Sequence, residues 1–152
     1  MFARIRPSNT HNMLVLTVLK AQPTDAEFDE CLRLTYEAYV TMPPQFVMIF
    51  DLCRMTTLDI QRCKQWMSLF VRVKEVTRQN LVCTCIAYDG AMLRLAVEMF
   101  LRFYDPIKPF HVFSSREQCL AFARSRATPI RECAVSASSK EQGSGSERVI
   151  TN

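Results

Sequence analysis

Few residues in this chain have the types and spacing that carry chemistry. Seven cysteines, at positions 31, 53, 63, 83, 85, 119 and 133, are an odd number and lie in apolar periodic segments, not in loops. That placement predicts buried free thiols in a reducing compartment, not a disulfide framework. No two form a C-x-x-C, and His11 and His111 stand in no motif that would make a Cys-His nucleophile pair. Cys83 and Cys85 sit two apart on an expected strand and share a face, so they offer half a metal site at most; filling a core explains them better. The only glycines are Gly90, Gly143 and Gly145, which leaves no phosphate-cradling loop. Asp51 and Asp59 flank one connection, where they can be read as an acid/base pair. The simpler reading has Asp51 accepting turn amides and Asp59 capping a helix. The expectation is a protein without enzymatic activity, cofactor or metal.

The elements that must position these residues centre on Gln45 to Asp59. Pro43-Pro44 breaks any preceding helix, and Phe46-Val47-Met48-Ile49-Phe50 is an unbroken apolar run, the pattern of a strand buried on both faces. Asp51 closes it and Asp59 opens a helical period, giving strand, tight connection and helix start.

Around that centre the chain alternates. Phe2 to Arg6 reads as a short edge strand and Met13 to Leu19 as a second buried strand. Thr24 caps a helix from Asp25 to Val40 with Phe28, Leu32, Thr35 and Tyr39 on one stripe and an acidic polar face. Ile60 to Arg78 reads as one helix with a wide apolar band and a basic polar face, so an acidic and a basic helix stand in one chain. Leu81 to Ala87 is a strand ending at the Asp89-Gly90 turn, and Ala91 to Phe103 is helical. Phe110 to Phe113 is a last strand, and Ser114 or Ser115 caps a final helix, with Glu117 as a capping-box partner for Ser114. The predicted order is β-β-α-β-α-β-α-β-α: a single α/β domain over residues 1–128, with a mixed, mostly parallel sheet largely covered on both faces. Residues 129–152 read as a flexible Ser/Gly-rich tail, with Ser136, Ser138, Ser139, Ser144 and Ser146 as candidate phosphorylation sites.

Bulk properties bound the function. A 49% hydrophobic and 22% charged composition over 152 residues is that of an ordinary globular domain. The net charge of +4 lacks the dense basic footprint of a nucleic-acid binder. No run reaches the roughly 20 apolar residues of a membrane span, and no secretory signal opens the chain. A cytoplasmic location, alone or inside a large assembly, is expected.

The order of elements and the central stretch resemble the STAS domain, the fold of bacterial anti-sigma-factor antagonists, over about residues 13 to 126. The resemblance rests on the strand ending in Asp51-Leu52, on Thr56-Thr57-Leu58-Asp59 before the next helix, and on the ending His111 to Ala121. In those antagonists a serine that follows the aspartate matching Asp59 is phosphorylated to switch off partner binding. Here Ile60 stands in that place and cannot accept phosphate, so the switch is absent or has moved, to Thr56 or Thr57. The resemblance implies a non-enzymatic module that binds another protein, in a hetero-complex or as a homo-oligomer. The partner surface is expected at Met55, Thr56, Thr57, Asp59, Arg62 and Lys64, because open α/β sheets place their sites at strand C-termini. The runner-up resemblance, to the CRAL-TRIO lipid-binding domain, implies a carrier of a small apolar ligand. It would make Met92, Phe100, Phe103 and Tyr104 line a pocket where the STAS reading makes them core, but no extra helix is present to gate such a pocket. A structural component of a large assembly, such as a minor virion protein, is the remaining class.

Overall fold

The computed structural model describes residues 1–130. Five strands form one sheet: β1 (Ala3–Pro7), β2 (Met13–Val18), β3 (Phe46–Asp51), β4 (Leu81–Ala87) and β5 (Phe110–Phe113). Their spatial order is their chain order, with β1 antiparallel to β2 and every later pair parallel. Helices α1 (Asp25–Thr41), α2 (Ile60–Arg72), α3 (Lys74–Asn80), α4 (Ala91–Phe103) and α5 (Arg116–Arg126) complete the fold. β3 is buried at every position, as its unbroken apolar run predicts.

The monotonic strand order decides where the helices lie. Crossovers of one hand that always step the same way along a sheet all fall on the same face. Accordingly α1, α2 with α3, and α4 pack one side, where Leu14, Leu16, Met48 and Phe50 of the sheet meet Phe28, Trp66, Phe70 and Val97. A chain of ring contacts runs through this core, with Phe50 edge-on to Trp66 at 5.2 Å and Phe70 6.0 Å from Phe50. Among the described helices only α5, which follows the last strand, reaches the other side. There Cys119, Ala123 and Ala127 close over Val47, Ile49, Cys83 and Cys85. Among the described residues both faces are covered over β3 and β4, while the second face of β1 and β2 is open, so the sheet is largely, not wholly, covered as expected.

Local signals account for most boundaries. Thr24 and Glu27 form a reciprocal capping box at the start of α1. Asp59 caps α2, its carboxylate accepting from the Arg62 amide at 2.8 Å. At α5 the cap is Ser115, the second of the two expected candidates, which accepts from the Gln118 amide and donates its hydroxyl to Glu117, so the capping box expected between Ser114 and Glu117 does not form. The single helix expected from Ile60 to Arg78 is two, broken at Val73. Two β-branched valines within three residues weaken the helix there. The break leaves Val71 exposed, buries Val73 and brings Thr77 under Tyr39, whose hydroxyls lie 2.9 Å apart. Beyond α5, Pro129 bridges to His11, and the Ile130 amide donates to the Thr10 carbonyl at 2.9 Å. The rest of the expected tail, with its serines, lies outside the described residues.

Candidate functional site

The loop after β3 was expected to carry the partner surface, and it divides its residues between the two faces of the sheet. Asp51 points to the α5 side, where one carboxylate oxygen accepts from the Cys53 amide at 3.3 Å and the other pairs with the Arg116 guanidinium at 3.0 Å. Asp59 sits on the helical side as the cap of α2. The fold therefore does not bring the two carboxylates into an acid/base pair. Cysteine chemistry is also disfavoured beside them: burial and the neighbouring Asp51 push the Cys53 thiol up to about 11, and burial raises that of Cys63. Both shifts disfavour the thiolate.

Of the six expected partner residues, the structure exposes Thr56, Thr57, Asp59 and Lys64 and withdraws two. Met55 is buried and lines a small apolar cavity of about 50 Å³ with Phe50, Trp66 and Phe100. Arg62 turns toward α1: it donates to the Pro23 carbonyl at 3.0 Å, approaches Asp25 at 3.3 Å and lies 5.4 Å above the Phe28 ring. Gln65 donates to Asp29 at 3.1 Å, and Arg72 stacks 4.3 Å over Tyr36. The acidic α1 and the basic α2 are neighbours, so part of the charge asymmetry is satisfied within the fold.

The larger feature beside the loop is apolar. α2 and α4 leave between them a groove of about 650 Å³ that begins at Leu58 and Ile60, just past the Thr56-Thr57 pair. Met67 and Cys63 form its α2 wall, and Met92, Leu95, Met99 and Phe103 its α4 wall, with Lys64 among its lining residues. These side chains are not core. Ile60 and Met92 are each 65% exposed, Leu95 55% and Phe103 75%. Met92 and Phe103 thus leave the core that the STAS resemblance assigned them, while Phe100 stays in it and Tyr104 is half-buried. Large exposed apolar side chains gathered in one groove differ from the scattered ones of an ordinary surface. The signal was present in Ala91 to Phe103: Arg94, Glu98 and Arg102 recur every four residues on one stripe and leave an apolar arc wider than one buried face needs.

Among the described residues no helix is long and apolar enough to cross a membrane, and no three His, Cys, Asp or Glu side chains gather as a metal site. No family model matches the sequence, and no curated protein matches it. Among solved structures, an uncharacterized protein of the DUF3478 family with a SpoIIAA-like fold, from Shewanella loihica PV-4, is similar over 80% of this chain and 91% of its own, with a TM-score of 0.56 and 15% identity. The chain therefore has a SpoIIAA-like fold, the STAS-like fold that the central stretch resembles.

Proposed function

We propose that this STAS-like domain is a non-enzymatic interaction module, and that the groove between α2 and α4 receives an apolar helix of a partner protein. One observation carries the reading: Ile60, Met67, Met92, Leu95, Met99 and Phe103 line one continuous groove and are exposed or half-buried along it. Thirteen residues of α4 give a wall of about 20 Å, the span of a few turns of docked helix. Methionines on both walls can repack around such a partner, as helix-in-groove recognition requires. Lys64 among the lining residues, and the exposed Thr56 and Thr57 beyond Leu58 and Ile60, keep part of the expected partner surface in this site. The carrier reading is less well supported: the apolar cavity lined by Phe50, Met55, Trp66 and Phe100 holds about 50 Å³, against the several hundred that a lipid-sized ligand fills.

The test is size-exclusion chromatography with light scattering and native mass spectrometry on protein purified from its own source. A discrete complex with a second protein is expected, and it should be lost in a Leu95→Glu, Phe103→Glu double variant. Both side chains are exposed, so the variant should melt like the wild type. A monomer that keeps a lipid-sized mass would overturn the reading in favour of a carrier.

A further inference from the structure

The uncovered part of the sheet holds a second groove, on the face opposite the apolar one. It has a volume of about 450 Å³ and lies between β1 and α5, with β2 as its floor. Arg4 and Arg6 are both exposed and alternate with the half-buried Ile5, so both project from the same side of β1. They stand in register with Thr17 and Val15 of β2. Arg116, Leu120 and Arg124 recur every four residues along α5 and form the facing wall, and Arg54 adds a fifth guanidinium. Among the described residues the only acid lining the groove, Asp51, is paired with Arg116. Among the described residues Arg4, Arg6, Arg54 and Arg124 have no acidic partner.

We propose that this groove docks an extended, acidic peptide segment of a partner protein. The inference goes beyond the apolar groove and does not depend on it. Guanidinium groups bind carboxylates through paired, charge-assisted hydrogen bonds, and a cluster of them lacking acids repels itself until an anion arrives. The floor is the six-residue strand β2, about 20 Å long, which matches an extended segment of about six residues. Successive side chains of such a segment point alternately to either side, so acids along it meet both arginine walls. A single nucleic-acid strand fits less well, because its bases need aromatic platforms and among the described residues no aromatic side chain lines this groove. A lipid surface fits less well too, since a flat membrane cannot reach a concave floor.

The probe is a fluorescein-labelled glutamate-rich peptide of about eight residues, titrated with the full chain in low salt and read by anisotropy. Its glutamine counterpart is the neutral control. The acidic peptide should bind and the neutral one should not. Reversing one wall (Arg4→Glu with Arg6→Glu) or the other (Arg124→Glu) should weaken binding at least about tenfold. Amide resonances of β1, β2 and α5 should move on binding, while those of α4 stay. The Leu95→Glu, Phe103→Glu variant should bind the peptide as the wild type does, so this proposal and the preceding one fail separately. If the reversed chains do not fold, the milder Arg4→Gln with Arg6→Gln serves and should still lose several-fold. Equal affinity in the folded variants, or tighter binding of oligothymidylate or phosphatidylserine vesicles in competition, would overturn the proposal. The arginines would then be charges that protect an edge strand from pairing.

Discussion

Thr84 is the buried side chain whose hydroxyl finds no hydrogen-bond partner among the described residues. It lies in β4, 1% exposed, beside Met48 and Phe110. An unpaired hydroxyl taken out of water costs free energy that an isosteric methyl does not. Thr84→Val should therefore stabilise the protein by about 1 kcal/mol in urea unfolding, and a destabilised variant would mean that the hydroxyl is satisfied in solution. Asp51 is the opposite case, a buried carboxylate that relies on Arg116. Because Arg116 is half exposed, Arg116→Ala should cost about 1 kcal/mol, well under the roughly 3–5 of a fully buried pair. Glu27 sets a pH dependence. Its hydrogen bonds from Lys20, foremost, and from Thr24 lower its pKa from 4.5 to about 2. A carboxylate whose folded pKa is depressed stabilises the fold above its unfolded pKa and loses that contribution as pH falls through the folded value. The stability difference between wild type and Glu27→Gln should thus be constant down to about pH 5 and shrink toward zero between about 4.5 and 2. Melting curves across that range check it.

The caps and breaks of the elements separate what could be read from the chain from what could not. Phe46 to Phe50, Leu81 to Ala87 and Ala91 to Phe103 fall where apolar runs and helical periods place them, because burial on both faces or on one stripe is a local pattern. The sequence leaves the cap of α5 open between Ser114 and Ser115, equally good capping residues, and only the turn after β5 decides for Ser115. Ser115→Ala should cost about 1 kcal/mol and Ser114→Ala close to nothing, measured by thermal melting. Asp59→Ala should cost about the same as Ser115→Ala, since it removes the cap of α2. The break at Val73 was illegible for another reason: Trp66, Leu69, Phe70, Val73 and Thr77 keep a helical period straight across it. The apolar groove was legible only in small part. The STAS resemblance points to Met55, Thr56, Thr57, Asp59, Arg62 and Lys64, of which only Lys64 lines the groove. It does not point to Met92, Leu95, Met99 and Phe103, and an apolar arc on a single helix does not say which part of it another element covers.

At the scale of the whole molecule, the strand order is the fact from which both grooves follow. Three crossovers on one face crowd it and leave a seam between α2 and α4, while on the other face α5, alone among the described helices, leaves β1 and β2 open. Neither consequence is visible in any segment, since periodicity says that a strand is buried but not how many helices share its face. The arginine groove is the clearest example: Arg4 and Arg6 are an edge-strand pattern by themselves, and only the placement of α5 sets Arg116 and Arg124 opposite them. Because the sheet separates the two grooves and they share no lining residue, the sites should act independently. They should also answer differently to salt. Guanidinium–carboxylate contacts near solvent weaken as the Debye length shrinks from about 10 Å at 0.1 M to about 3 Å at 1 M, whereas burial of apolar surface does not. Raising sodium chloride across that range should release the acidic peptide and leave the α2–α4 complex intact. Loss of both together would mean that one surface, not two, carries the interactions of this protein.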